Sequence, residues 1–204
     1  MLEAHELAAR RGHARLFERL SFKVEYGHVL VVTGANGTGK TTLLRMLAGL
    51  STPASGEIRW NGKAVAPFDP CVRASIAFAG HAPALKDELS AEENLTMLVA
   101  LAGETVPRDT IRAALDTVAL ASKRTLPARV LSQGQRRRIG LARLALQNRP
   151  LWILDEPMTA LDAAGTALLA QMVADHLDRG GLAVAATHAP LGLPEARAQS
   201  IRLQ

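Results

Sequence analysis

The chain has 204 residues, 48% hydrophobic and 21% charged, with a formal net charge of +5; this excludes a disordered chain and suits one α/β domain with room for an inserted subdomain. Cys71 is the only cysteine, which excludes an internal disulfide and fits a reducing compartment. No apolar run approaches the ~18 residues that span a bilayer, the start from Met1 to Glu6 lacks the apolar core of a secretory signal, and 3% aromatics leave little to stack on nucleic-acid bases.

Residues 1–33 read as β-rich, with partial alternation at Leu16-Phe17 and Leu20 to Val24 and a turn at Tyr26-Gly27. Val29 to Thr33 is a short apolar, β-branched strand. It runs into Gly34-Ala35-Asn36-Gly37-Thr38-Gly39-Lys40-Thr41-Thr42, and a helical pattern through Leu43, Leu44, Met46 and Leu47 follows. Strand, glycine loop and helix with G-x-x-x-x-G-K-T at the joint form a phosphate-binding arrangement. Glycine lets backbone N–H groups close around phosphate in left-handed conformations. The helix start adds N–H donors and the positive end of its dipole. Lys40 can reach β- and γ-phosphates, and the Thr41 hydroxyl can ligate Mg²⁺. By average residue usage the pattern arises by accident in roughly one chain of this length in a hundred.

Ser55 to Lys63 predicts a strand and an Asn61-Gly62 hairpin turn, and a further turn at Ala66 to Pro70 leads to a buried strand at Ile76 to Ala79. Strands on either side of the first helix imply a small antiparallel sheet attached to a parallel core. From about Pro83 to Gln147 the pattern turns helical. One helix opens at Glu92-Glu93-Asn94, with Leu95, Leu98 and Val99 apolar. A second carries Ile111, Leu115, Val118 and Ala119 on one face, Leu126 to Ser132 is a loop, and a third runs from Gly134 through Ala145. The run Arg136-Arg137-Arg138 reads as a solvated face of this last helix. Leu151 to Asp155 is a continuous apolar strand ending in a carboxylate. Leu161 to Leu177 predicts a helix stopped by Gly180-Gly181, and Leu182 to Thr187 a further buried strand. The whole is expected to be one α/β domain, residues 1–204, with about 83–147 as a helical insertion.

In parallel sheets ligands sit at the carboxyl ends of strands, so Asp155 and Glu156 should face the glycine loop. One carboxylate can hold Mg²⁺ and the other can polarise an attacking water. Leu131-Ser132-Gln133-Gly134-Gln135 precedes a helix, where a serine and a nearby glycine make either an anion site or a plain cap.

Those five residues resemble the signature sequence of ABC-type ATPases, and the resemblance then covers nearly the whole chain. Gly34 to Thr42 is similar to the Walker A loop, Leu151 to Glu156 to the Walker B strand, Thr159 to Asp162 to the D-loop, and His188 to the switch histidine. The resemblance implies a P-loop NTPase domain with a RecA-like parallel core, a small antiparallel β subdomain and an inserted helical subdomain. It implies a head-to-tail homodimer in which each ATP lies between one protomer's Gly34–Thr42 and the other's Ser132 and Gly134. Lys40, Thr41 and Asp155 then hold phosphate and Mg²⁺, Glu156 activates water and His188 contacts the γ-phosphate. At the Q-loop position His81 replaces the usual glutamine. Mg²⁺ prefers oxygen to imidazole, so His81 is expected to act by hydrogen bonding or to shape the partner-docking groove. No aromatic lies near Arg10 to His13 to stack on adenine, and Arg11 is the candidate in its place.

Within the family, Leu16 to Phe22, Gly80-His81-x-Pro83 and Leu85 to Leu95 are similar to the CcmA group, ATPase subunits of bacterial cytochrome c maturation. That likeness implies a peripheral subunit at the cytoplasmic face of the inner membrane. Its partners would be a CcmB-like membrane subunit with CcmC- and CcmD-like proteins, with haem handled by the complex and no nucleic acid bound. The alternatives are a soluble ABC ATPase acting on nucleic acid or ribosomes, the ATPase of another small exporter, and a P-loop kinase. A kinase has no need of Leu131 to Gln135 or His188.

Overall fold

The computed structural model describes residues 1–204. Two long strands, β1 (Leu2–Arg11) and β2 (Ala14–Val24), pair antiparallel around Gly12-His13. The parallel sheet begins with β3 (Val29–Thr33), which feeds α1 (Lys40–Leu47). β4 (Ser55–Trp60) returns to pair with β1, and β5 (Lys63–Ala64) closes the predicted hairpin, where Asn61 and Gly62 both take positive φ (51° and 77°) as a two-residue turn of matching twist requires. The first sheet has the order β2-β1-β4-β5. After the short α2 (Pro70–Arg73) comes β6 (Ile76–Ala79).

Three helices follow: α3 (Ala91–Leu101), α4 (Arg108–Thr117) and α5 (Gln133–Leu146). Ser90 and Glu93 form a capping box at α3, and Ser132 and Gln135 form one at α5, so both starts are marked by side chains that satisfy open backbone donors. β7 (Leu151–Asp155), α6 (Ala163–Asp178), β8 (Leu182–Ala186) and β9 (Ala198–Arg202) complete the chain. The second sheet has the order β6-β7-β8-β3-β9, and β7, β8, β3 and β9 pair in parallel. Every residue of β7 and β8 is buried, as their unbroken apolar runs require.

The chain packs as two units, residues 1–78 with 149–157 and 173–204, and residues 79–148 with 158–172. In the first, one core joins both sheets to α1 through residues such as Leu7, Phe17, Leu30, Leu43, Ile153 and Val184. In the second, α3, α4 and α5 pack on one another and bury Leu95, Ile111, Leu115 and Ile139.

Three expectations are corrected, and one strand was not anticipated. The second helix of the insertion stops at Thr117, and Ala119 leaves it at φ 57° to lie exposed while Val118 stays buried. The helix predicted from Leu161 begins at Ala163, because Asp162 caps it: its Oδ1 accepts from Gly165 N at 2.8 Å. β9 carries no apolar alternation and lies mostly exposed at the sheet edge, so its pattern did not mark a strand. The arginine run is not a solvated face. Arg137 is buried, and Arg136 and Arg138 are mostly covered and bridged to Asp87 and Asp162, each at 2.7 Å.

Candidate functional site

The loop after β3 is shaped by glycines that no other residue can replace without strain. Gly34, Gly37 and Gly39 have φ of 142°, 88° and 100°. A Cβ on Gly34 would stand 2.6 Å from the Leu203 carbonyl oxygen, and one on Gly39 would stand 3.0 Å from Leu16 Cβ. α1 starts with no side-chain cap, so the amides of its first turn are left for a ligand. Lys40, 8% exposed, donates through Nζ to the carbonyls of Gly34 (2.7 Å) and Ala35 (3.1 Å), which holds its ammonium inside the loop. Thr38 Oγ1 donates to Ala35 O at 3.0 Å, while Ala35 and Asn36 lie exposed on the rim and Thr42 is half-buried.

The parallel register carries β7 and β8 to the same end of the sheet as this loop. Thr41 Oγ1 donates to Asp155 Oδ2 at 2.9 Å. A hydroxyl and a carboxylate in contact are hard oxygen donors of the kind Mg²⁺ takes. The next residue, Glu156, turns into the left-handed region at φ 46°, and its N–H bonds to the Ala186 carbonyl at 2.9 Å. Such a backbone at a non-glycine costs energy and persists where the surroundings hold it. His188 Nε2 lies 3.6 Å from Glu156 Oε1, a distance beyond a direct hydrogen bond. Thr187, buried just before it, accepts from Ala189 N at 3.1 Å and shapes the turn that presents the imidazole.

In the second unit Ser132, Gln133, Gly134 and Gln135 line an open pocket of about 480 Å³ with Ala119, Arg138, Ala160 and Asp162. Leu131 beside them is buried. Ser132 Oγ accepts from Gln135 N (3.2 Å), and Gln135 Oε1 accepts from Ser132 N (3.0 Å). Gly134 is required by close approach, since a Cβ there would lie 2.7 Å from the Ala160 carbonyl oxygen. Arg138 donates to Asp162 Oδ1 (2.7 Å) and to the Val118 carbonyl (3.2 Å). The Gly165 amide first, and Arg138 second, hold the Asp162 carboxyl below the usual aspartate range.

The structure thus gathers Gly34 to Thr42, Asp155, Glu156 and His188 within the first unit, and Ser132 to Gln135 with Asp162 within the second. Arg11 stands exposed across the β1–β2 turn from Ala14 and takes no part in the loop's hydrogen bonds. His81 is exposed on the loop after β6, with its carbonyl bonded by Arg137. Sequence reasoning placed Ala160 in the D-loop likeness but missed Arg138 and Ala119 as pocket residues, because no local signal sets those two apart from their neighbours. It also missed Asn94 as a clamp. The buried amide bonds the main chain of Lys86 in both directions (2.7 and 3.0 Å) and the Leu89 and Ser90 carbonyls.

Residues 17–159 match the model of the ABC transporter family. The chain is 47% identical to the cytochrome c biogenesis ATP-binding export protein CcmA of Dechloromonas aromatica, with 100% of both chains covered. It is also 47% identical to the protein of that name from Pseudomonas aeruginosa, over 100% of this chain and 99% of the other. Its fold is similar to that of an ABC transporter ATP-binding protein from Pyrococcus furiosus, with a TM-score of 0.83 and 27% identity over 99% of this chain and 96% of that one. The chain belongs to the ABC transporter family, among its CcmA-type ATP-binding proteins.

Proposed function

We propose that this chain is the ATP-hydrolysing subunit of a membrane complex for cytochrome c biogenesis, acting as a head-to-tail homodimer. One observation carries the ATPase reading: Thr41 bonded to Asp155 at 2.9 Å beside a buried Lys40, with Glu156 on the next residue. Lys40 and the amides of Gly34 to Thr42 would take the β- and γ-phosphates. Thr41 and Asp155 would hold Mg²⁺, which offsets phosphate charge. Glu156 would orient the attacking water and accept its proton, and His188 would donate to a γ-phosphate oxygen. Ser132 and Gly134 of a second copy would close the site from outside, and Arg11 would offer its guanidinium plane to the base.

The reading treats residues 1–204 as one ATP-binding domain with about 83–147 as its helical insertion. No helix is long and apolar enough to cross a membrane, so energy would pass to an integral partner. That partner would be a CcmB-like subunit, with CcmC- and CcmD-like proteins, docked beside His81 at the cytoplasmic face of the inner membrane. The name of the full-length relatives favours this export role over nucleic-acid or ribosomal work. Haem would be handled by the complex and not by this chain. The test is purification of the tagged chain from detergent-solubilised membranes. An integral membrane subunit should co-isolate, with ATP hydrolysis that Lys40→Ala abolishes. Isolation with ribosomes instead, or hydrolysis that survives Lys40→Ala, would overturn the proposal.

A further inference from the structure

The two arginines at the β1–β2 tip face opposite ways. Side chains alternate between the faces of a strand, so Arg11 shares the face of Ala9 and Arg10 takes the other. Ala9 is fully buried and paired with Phe17. Ring carbons of Phe17 lie 3.2 Å from where a Cβ on Gly39 would stand. Arg11 thus leaves the hairpin on the side of the phosphate loop, about 7 Å of strand beyond the Ala9–Phe17 pair. Between that pair and Arg10 opposite Arg15, the register skips Leu16. One extra residue is a bulge, which bends a strand and re-aims its side chains. Here it sets Leu16 Cβ 3.0 Å from the same Gly39 position. Across from Arg11 stands only Ala14, too small to cover it.

The hydrogen-bonding chemistry of this tip is one-sided. Arg11 is exposed and makes no hydrogen bond or ion pair within the chain. The single acid between positions 10 and 19, Glu18, is taken by Arg15 at 2.8 Å. The one Phe, Tyr or Trp in that stretch, Phe17, is 9% exposed and packs against Gly39, so it offers no ring to a base. A guanidinium carries five N–H donors and no acceptor. Stacked flat it would treat every base alike, since each has a π-face. Its donor edge does discriminate. Guanine shows two acceptors side by side, N7 and O6, whereas adenine shows N7 beside an amino donor. No hydrogen bond or ion pair fixes the plane of Arg11, and its donors are all free to find acceptors.

We propose that the site takes 6-oxopurine nucleoside triphosphates such as GTP at least as readily as ATP, and that Arg11 selects them by donating from its guanidinium edge to N7 and O6. This rests on the reading of Gly34 to Thr42 as the phosphate site and of Arg11 as the base contact, and it makes the edge of the guanidinium, not its plane, the part that selects.

The test is calorimetric titration of the full chain with ATP, GTP and ITP, each with Mg²⁺. GTP and ITP should bind at least as tightly as ATP; ITP keeps N7 and O6 but lacks the guanine amino group, so it isolates the contact. Arg11→Met should weaken GTP and ITP relative to ATP by at least about fivefold, the low end of what a bidentate contact to guanine discriminates. Arg10→Ala, on the other face, should leave that ratio as it is. A wild-type chain that prefers ATP overturns the proposal. So does a ratio that Arg11→Met does not move, or that Arg10→Ala moves as far. Lys40→Ala tests the underlying reading separately and should weaken all three nucleotides alike. Undiminished binding of all three in Lys40→Ala overturns the phosphate-loop reading and the base selection with it.

Discussion

The phosphate loop and the signature pocket are both built at helix starts, yet the two starts are finished differently. α1 begins at a left-handed Gly39 with no side-chain cap, so its open amides and a buried lysine stand ready for an anion. α5 begins with a serine that already caps its own helix, through Ser132 Oγ and the Gln135 amide. The first start is deficient in acceptors by construction. The second has its backbone donor satisfied, and its hydroxyl, already an acceptor in the cap, offers a ligand its proton but only one further lone pair. One region is a standing site and the other a conditional one.

The largest effect should come from the carboxylate beside the standing site. Glu156→Gln should slow hydrolysis by about 100-fold or more, the scale of a lost general base, while ATP binding persists. Trapped ATP should then hold two copies together, which size-exclusion chromatography with and without ATP would report. Near-normal turnover in Glu156→Gln would remove the assignment.

Ser132→Arg attacks the conditional region. Bulk and charge on the pocket wall should abolish ATPase activity, and nucleotide titrated into dilute protein should bind as before. Binding lost in parallel with turnover would show that the two regions do not divide the work in this way.

Asn94→Ala should act on stability. It leaves the Lys86 amide without its acceptor and removes one of two donors from the Lys86, Leu89 and Ser90 carbonyls, which keep backbone partners, and should cost about 1–3 kcal/mol. Denaturant unfolding measures it, and a change too small to detect would mean that water replaces the clamp.

The smallest differences should appear on acidification, and they separate the two units. In the first, burial holds the His176 imidazole, stacked 4.1 Å from Trp152, below the usual histidine value of 6.5, against the opposing bond to the Leu182 carbonyl. The unfolded chain takes up that proton first, so the stability it contributes is whole above about pH 6.5 and lost as pH falls towards the lower folded value. In the second, the Arg108 hydrogen bond, helped by Arg112, holds Glu92 below its ordinary 4.5, so its contribution is whole above that value and lost only at lower pH. Melting curves across pH should lose the upper limb in His176→Phe and the lower limb in Glu92→Gln. An unchanged limb in either variant would reassign it.

The glycine loop and the strand-end carboxylates proposed to take the nucleotide were legible as local structure because their signals are contiguous. Glycines at required positive φ, a lysine at the first helical residue and carboxylates at a strand end are written in contiguous residues. Ser132 with Gln135 likewise declares a helix start three residues apart. What stayed hidden depends on distant partners. Arg137 bonds to residues 56 and 57 positions earlier in the chain, and nothing about three adjacent arginines tells which will be buried. The end of α4 was misread because Val118 and Ala119 continue the apolar spacing, whereas the backbone turns left-handed at Ala119. The capping role of Asp162 was hidden behind an earlier leucine that also fitted the helical pattern.

The left-handed backbone at Glu156 sets durability against turnover. Glycine at that position would remove the steric cost of φ 46° and so raise the thermal tolerance of the native state. It would also delete the carboxylate on which the proposed chemistry depends. Screening random variants for heat resistance would therefore enrich an inactive chain here, and the strained residue marks a position where selection for robustness and selection for activity ask for opposite amino acids.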